Sequence, residues 1–161
     1  AVISERVLQL RRDQGLLGIL TPAPPAKSID AACILMNAGV VHRIGPHRLN
    51  VKLARHLASQ GLTTVRLDLS GLGDSAPDGS TRRFTDQAVA DIRATMDQLQ
   101  RMNGTRRFIV SGLCSGAAIG FHAALADPRV VGLQLLDPYA YRTRAATRRY
   151  YLRRMRLPEA W

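Results

Sequence analysis

Short apolar stretches recur along the chain and predict a series of strands. The continuous apolar run at 32–36 (ACILM) is typical of a strand buried on both faces of a sheet. Apolar or alternating stretches bounded by turn residues predict five further strands, at 5–12, 16–20, 63–69, 107–111 and 130–136. The first two flank a short turn at 13–15, which predicts a hairpin at the start of the fold.

Between the later strands the hydrophobic period changes to that of a helix. Leu49, Leu53 and Leu57 fall four residues apart, which predicts a helix from 46 to 61. Apolar residues at helical spacing predict a second helix from 85 to 104, and the Ala- and Gly-rich stretch at 117–126 predicts a third. Small residues in that third helix would let it lie close against a sheet.

This alternation of strands and helices predicts an α/β fold with a mostly parallel sheet and helices on both faces. In such folds, ligands bind at the carboxyl ends of the strands. Four loops fall at that edge, at 37–45, 70–75, 112–116 and from 137 onward. We therefore expect the functional site to be built from these loops.

Length and composition indicate one globular domain without a membrane span. The chain has 161 residues, of which 46% are hydrophobic and 22% charged. It has no signal-peptide pattern and no apolar run near the roughly 20 residues of a transmembrane helix. Its two cysteines, Cys33 and Cys114, cannot form a disulfide framework, so we expect a reducing, cytoplasmic location. No zinc-ligand spacing is present, and we expect neither metal nor cofactor.

The formal net charge of +11 is concentrated at one end of the chain. Residues 142–161 hold seven arginines and a single acid, Glu159. We divide the chain into a core at 1–141 and the start of a basic helical segment at 142–161. We expect this segment to begin a lid, with an anionic membrane surface as the next alternative. Nucleic acid ranks last, because no recognised nucleic-acid module accompanies the arginines.

The stretch at 112–116, Gly-Leu-Cys-Ser-Gly, has the form G-x-nucleophile-x-G between a strand and a helix. A nucleophile on such a strained turn needs neighbours without bulk two positions away on either side. The start of the following helix would stabilise a thiolate on Cys114, and the backbone N–H of Ser115 would face a developing oxyanion. We predict Cys114 as the nucleophile, with Ser115 as the fallback. The alternative is a structural glycine turn holding a buried, inert cysteine.

Further stretches accompany this motif: NAGVVHRIGPHR at 37–48, DLSGLGDS at 68–75 and YYLRR at 150–154. Together they resemble the N-terminal part of the α/β-hydrolase superfamily. The resemblance is closest to serine-aminopeptidase-like hydrolases, in particular those encoded with exosortase and exopolysaccharide systems. It implies that Gly39 and Val40 lie in the loop that provides the second oxyanion N–H. It also implies a fold whose last strands, which bear the usual acid and histidine, are not in this sequence, so that the chain is either a fragment or a truncated variant.

Candidates for the missing base and acid are few. His122 lies eight residues beyond Cys114 along the predicted helix, a rise of about 12 Å, so its ring cannot reach the thiol. His42 and His47 occupy a loop at the correct edge of the sheet and are candidate bases, with solvated or capping roles as the alternative. Asp137 follows the last predicted strand and is a candidate acid, or else starts a turn before Pro138.

These features predict a hydrolase that cleaves small acyl esters, thioesters or amides through Cys114, with acyl transfer as an option. We expect this chain alone to be weak or inactive, because a base for deacylation is missing. The alternative is a non-catalytic hydrolase-like domain that binds an anionic partner through its arginine-rich end. An unfinished sheet edge would also allow pairing with another chain.

Overall fold

The computed structural model describes residues 4–11, 15–138 and 143–155, and these form a single six-stranded sheet with flanking helices. The strands are β1 (Arg6–Arg11), β2 (Leu16–Thr21), β3 (Ala32–Met36), β4 (Thr63–Leu67), β5 (Phe108–Leu113) and β6 (Val130–Leu136). The helices are α1 (Leu49–Ser59), α2 (Phe84–Asn103), α3 (Ser115–Ala126) and α4 (Arg144–Arg154). Two 3₁₀ turns, Pro25–Lys27 and Pro46–Arg48, precede β3 and α1.

The strand order in the sheet is β1-β2-β4-β3-β5-β6. β2 pairs antiparallel with β1 on one side and with β4 on the other. The remaining neighbours, β4 with β3, β3 with β5 and β5 with β6, pair parallel. The predicted mostly parallel α/β sheet is therefore confirmed. Because β3 and β5 are central and parallel, the loops that follow them meet at one edge, and this edge carries the candidate site.

The core consists of one apolar cluster on each face of the sheet. Alternate residues of β3 point to opposite faces, as strand geometry requires. Ile34 and Met36 pack in the larger cluster, which includes Ile92 of α2 and Ile119 of α3. Cys33 and Leu35 pack in the smaller cluster with Ala54 of α1. The helices thus cover both faces, and the fully apolar pattern of β3 reflects burial on both sides.

Two helix starts differ from the predicted boundaries by two residues or more. α1 begins at Leu49, not at residue 46, because His47 (φ 47°) and Arg48 (φ 60°) adopt left-handed backbone conformations that interrupt the helical path. α3 begins at Ser115, two residues earlier than predicted, directly after Cys114. Both differences lie in the loops at the carboxyl edge of the sheet.

The outer edge of the sheet at β6 is more exposed than the centre. Val131 and Leu133 are among the exposed large apolar residues, and so are Phe121 and Leu125 of α3. Whether this edge pairs with another chain stays a prediction. The last described segment forms α4, whose first turn is capped by the Thr143 side chain, which accepts a hydrogen bond from the N–H of Ala146. Among the described helices, none combines the length and apolar character that crossing a membrane would require.

Candidate active site

Cys114 lies on a sharp turn between β5 and α3. Its backbone has φ 55° and ψ −115°, a conformation that non-glycine residues rarely adopt. Its N–H donates to the Leu136 carbonyl at the end of β6, at 2.8 Å, and its own carbonyl accepts the N–H of Ala117 at 3.1 Å. The side chain is exposed. The turn therefore presents the thiol to solvent at the amino end of a twelve-residue helix.

The two glycines that flank this turn are required by the space around them. A Cβ on Gly112 would lie 2.3 Å from the backbone carbon and oxygen of Gly116. A Cβ on Gly116 would lie 2.4 Å from the carbonyl oxygen of Asn37. Because these neighbours are backbone atoms, they cannot move aside as a flexible side chain would. The motif at 112–116 thus allows β5, α3 and the loop after β3 to approach closely around Cys114.

Ser115, the first residue of α3, contacts the loop after β3. Its Oγ accepts a hydrogen bond from the N–H of Gly39 at 2.5 Å. Cys114 occupies the apex of the strained turn, and Ser115 is next to it. Because Ser115 is the first residue of α3, its backbone N–H has no acceptor within the helix. The structure thus brings together Cys114, Ser115 and Gly39, three of the residues predicted from the sequence. Val40 is next in the loop and is largely exposed.

An asparagine pair holds the other side of this loop. The Asn50 amide in the first turn of α1 donates to Asn37 Oδ1, and the Asn50 N–H donates to the Ile44 carbonyl at 3.2 Å. Gly45 has φ 70°, and a Cβ there would lie 3.1 Å from the Asn50 side chain. The loop that carries Gly39 is consequently attached both to α1 and to the start of α3.

Arg43 joins this loop to the glycine-rich turn after β4. The Arg43 N–H donates to Asp68 Oδ1 at 2.6 Å, and Arg43 Nη1 bonds both Asp68 and Asp74, the latter at 2.7 Å. Although partial burial lowers the pKa of Arg43, the two carboxylates raise it above its usual value. The hydrogen bond from Arg43 in turn lowers the pKa of Asp74. The described hydrogen bonds of the Asp68 carboxylate go to Arg43 and to the Asp74 N–H.

His42 is part of the same network. Its Nε2 lies 3.0 Å from Arg43 Nη1 and 3.5 Å from Asp74 Oδ2. His42, Asp68 and Asp74 offer ligand atoms within 4.8 Å of one another, a spacing that could hold a metal ion. The Arg43 guanidinium already bonds both carboxylates and supplies the positive charge. The donor set therefore does not fit a cation site.

Two remaining candidates lie at the carboxyl edge of the sheet, whereas His122 lies further along α3. His47 is exposed in the 3₁₀ turn before α1, and Asp137 is exposed directly after β6 with φ 49°. His122 is exposed on α3, edge-on to the ring of Phe121. Within the described residues, none of the chain's histidines forms a hydrogen bond with the Cys114 thiol.

Sequence reasoning missed the ion pairs that join distant parts of the chain. The pairing of Arg43 with Asp68 spans 25 residues, and that of Arg66 with Glu5 spans 61 residues. One available signal was the arginine within the predicted strand at 63–69, since a charge that far inside a sheet requires a partner.

Most of the chain matches the model of a known protein family. The family model described as serine aminopeptidase, S33, matches residues 36–155, which run from the last residue of β3 through the loop after it and the turn at Cys114 to the end of α4. The chain belongs to this family of α/β-hydrolases. The predicted superfamily is therefore confirmed. No curated protein sequence matches the chain significantly.

Solved α/β-hydrolases share the fold of this family member. The Pyrococcus furiosus esterase Pf2001 has a TM-score of 0.72 at 19% identity, over 98% of this chain and 57% of its own. An α/β serine hydrolase homologue from Coxiella burnetii has a TM-score of 0.64 at 19% identity, over 84% of this chain and 62% of its own.

A lidless α/β serine hydrolase from Xanthomonas campestris has a TM-score of 0.57 at 21% identity, over 78% of this chain and 58% of its own. This member of the family thus spans about three fifths of the length of each of these structures.

Proposed function

We propose that this α/β-hydrolase chain carries the nucleophile and oxyanion half of an acyl-transfer site, with Cys114 as the nucleophile. The observation that carries the proposal is the strained, exposed turn at Cys114, which opens directly into α3. Strained backbone in a fold is retained where function uses it. The helix N–H groups beside the thiol favour a negative charge there.

In the proposed reaction, Cys114 first gives its proton to solvent, and the thiolate Sγ attacks the carbonyl carbon of a small acyl ester. A C–S bond forms, and the carbonyl electron pair moves onto the oxygen, where the Ser115 N–H stabilises it. Collapse of this intermediate breaks the C–O bond of the ester, and the alcohol leaves with a proton from solvent. The thioester on Cys114 is then cleaved by water, which releases the acid and restores the thiol, or is transferred to another acceptor.

The Ser115–Gly39 hydrogen bond explains how the second oxyanion donor would be held. Gly39 N–H bonds Ser115 Oγ, so the loop is kept beside the start of α3. A substrate oxyanion at the Cys114 turn could compete for this N–H without a large movement of the backbone. Ser115 would then act as a positioning residue, not as a nucleophile.

We further propose that this chain by itself deacylates slowly. His42 is engaged by Arg43 and Asp74, and His47 and His122 are exposed without a described hydrogen bond to the thiol. A thioester that lacks an adjacent general base reacts with water slowly. Asp137 remains a candidate acid because it follows Leu136, whose carbonyl accepts the Cys114 N–H.

Stopped-flow measurement with p-nitrophenyl acetate tests this proposal. We expect a rapid burst of about one equivalent of p-nitrophenolate per chain, followed by a steady rate at least about ten-fold slower. Cys114→Ala should abolish the burst, and Cys33→Ala should retain it. A burst that survives in Cys114→Ala would contradict the assignment of the nucleophile. Sustained turnover at the burst rate would contradict slow deacylation.

A second function, binding of an anionic partner through α4, is favoured by a separate observation. Arg144, Arg148, Arg149 and Arg153 are exposed on this helix, and none of them forms a described ion pair. Absence of any burst, together with binding through these arginines, would favour this second function over the first.

A further inference from the structure

Asn50 is a buried asparagine in the first turn of α1. Its exposed fraction is 7%, and the other buried residues of this helix, Val51, Ala54 and Ala58, are apolar. Asparagine is a weak helix former whose usual place is the N-cap, but the N-cap of α1 is Arg48 and Asn50 lies inside the helix. A buried amide costs free energy unless it is hydrogen-bonded, so the bonds that Asn50 makes indicate its role.

The hydrogen bonds of Asn50 join both ends of the loop at 37–45. Its Nδ2 donates to Oδ1 of Asn37, the residue directly after β3, and its backbone N–H donates to the Ile44 carbonyl at 3.2 Å. Gly45 packs against the same amide, since a Cβ there would lie 3.1 Å from Asn50 Cγ. One residue thus closes the loop that carries Gly39, the proposed second oxyanion donor.

The tip of this loop has little packing of its own. A Cβ on Gly39 would meet no atom within 4 Å, and Val40 is 81% exposed. The described hydrogen bonds at the tip run from the Gly39 N–H to Ser115 Oγ and from the Val41 N–H to the Ala38 carbonyl. The direction of the Gly39 N–H therefore depends on where the ends of the loop are held.

The side chain of Asn37 depends on Asn50 for its position. Its Nδ2 is buried and has no hydrogen-bond partner within the described structure, so the bond from Asn50 to Oδ1 is the one that holds the amide. Loss of that bond would leave a buried amide unpaired, which is unfavourable, and the side chain would turn toward water. Because Asn37 lies two residues before Gly39, this turn would loosen the chain that leads to the Gly39 N–H.

We propose that Asn50 is a positioning residue that holds the Gly39 N–H in place as the second oxyanion donor. The inference rests on the proposed acyl-transfer reaction at Cys114. Asn50 acts through Asn37 and does not touch the substrate, and the turn that presents the thiol is held by separate hydrogen bonds to β6 and α3. Asn50 should therefore affect the stabilisation of an oxyanion but not the reactivity of the thiol.

Two reactions of the same sulfur separate these effects in Asn50→Ala. Acylation by p-nitrophenyl acetate develops negative charge on the carbonyl oxygen, whereas alkylation by iodoacetamide displaces iodide from carbon and forms no oxyanion. We expect the burst rate with p-nitrophenyl acetate to fall at least about ten-fold, and the alkylation rate of Cys114 to stay within about two-fold of wild type. Asn103→Ala, at the exposed last residue of α2, is the matched control and should change neither rate.

Asn37→Ala removes the same bond from the side of the loop and keeps the proposal testable if Asn50→Ala does not fold. The two single variants and the double variant should acylate equally slowly, because all three lack one shared interaction. An unchanged burst rate in the single variants, or an equal fall in acylation and alkylation, would overturn the proposal.

Hydrogen exchange of the Gly39 N–H, followed by NMR, distinguishes a failure of this proposal from a failure of the proposed function. This proton should exchange several-fold faster in Asn50→Ala than in wild type, whether or not the chain is acylated. No burst from wild type would overturn the proposed function and, with it, the oxyanion role of Gly39, while faster exchange would still support the anchoring of the loop. Unchanged exchange in Asn50→Ala would overturn the positioning role itself.

Discussion

The backbone of Cys114 is held in its strained conformation by several contacts. A residue in such a sparsely populated region costs about 1–3 kcal/mol. The Cys114 N–H and carbonyl are both hydrogen-bonded, to Leu136 and to the first turn of α3, and the flanking glycines admit the backbone of Asn37. These contacts fix the direction in which the thiol emerges, which a flexible loop could not do.

Gly116→Ala should be strongly destabilising, because its methyl group would lie 2.4 Å from the Asn37 carbonyl oxygen. We expect a loss of at least about 2 kcal/mol in the free energy of unfolding, or a displaced loop and slower reaction of Cys114. Urea unfolding followed by circular dichroism measures the first and thiol labelling the second. Gly132→Ala is the control for adding a methyl group, because Gly132 has no left-handed φ and its Cβ would meet the Ile109 side chain, at 3.2 Å, instead of backbone. Equal behaviour of the two variants would show that the close approach is not needed.

The contacts and backbone conformations of single residues were the features least predictable from the sequence. The glycine spacing at 112–116 indicated the turn, because only small residues fit around a nucleophile there. The Arg43–Asp68 and Arg66–Glu5 pairs depend on which strands become neighbours, and no local pattern carries that information. The left-handed conformations of His47 and Arg48 likewise follow from the attachment of the loop to Asn50, which the sequence does not reveal.

At the scale of elements, one arginine fastens α2 to the connection between α3 and β6. Arg129 donates to Asp127 from its backbone N–H, Nε and Nη2. Its Nη1 donates to Asp97 at 2.7 Å and to Gln100 at 3.0 Å, both on α2. Because β6 also accepts the Cys114 N–H, this network supports the strand that borders the site.

Arg129→Ala should lower the free energy of unfolding by about 2 kcal/mol near neutral pH, since it leaves the nearly buried Asp127 carboxylate without its main donor. Thermal unfolding followed by circular dichroism measures the loss. Arg106→Ala, at an exposed position, is the matched control and should change little. A loss no larger than that of the control would show that the network contributes nothing to stability.

The same pair predicts an acid dependence. Arg129 lowers the pKa of Asp127 below the ordinary value of 3.8, so the carboxylate stabilises the folded state above that value. This stabilisation is lost as the pH falls through the folded-state pKa of Asp127. The decrease in melting temperature below about pH 4 should therefore be smaller in Arg129→Ala than in wild type.

The elements themselves were largely predictable. Each strand corresponds to an apolar or alternating run, because burial against α1 on one face and against α2 and α3 on the other demands apolar side chains. β6 was predicted by the same criterion, although in the described structure much of it is exposed. Among the described strands, β6 pairs only with β5.

At the scale of the whole molecule, charge is distributed unevenly. The net charge is +11, and α4 presents exposed arginines without described ion pairs. The ion pairs of the core, by contrast, neutralise Arg43, Arg66 and Arg129 locally. Any long-range attraction to an anionic surface therefore arises mainly from the end of the chain.

Replacing Arg148 and Arg149 together by Gln should weaken binding to sedimented phosphatidylserine-containing vesicles about thirty-fold, because each basic residue near an anionic surface contributes about 1 kcal/mol. Binding of wild type should fall steeply between low and moderate salt. The double substitution of Arg106 and Arg107 by Gln removes the same charge from an exposed loop of the core. If both double variants bind equally, α4 has no special role, and a lid remains the interpretation of this segment.

The central claim, an activated thiol presented by the turn at Cys114, is tested most directly by comparing the alkylation rates of the two cysteines. Burial raises the pKa of Cys33 to about 12, which makes it an internal control in the same chain. After brief treatment of the folded protein with iodoacetamide near neutral pH, mass spectrometry of its peptides measures both sites. We predict that Cys114 is modified at least about ten-fold faster than free cysteine, while Cys33 stays unmodified until the chain unfolds. A Cys114 that reacts no faster than free cysteine would contradict the account.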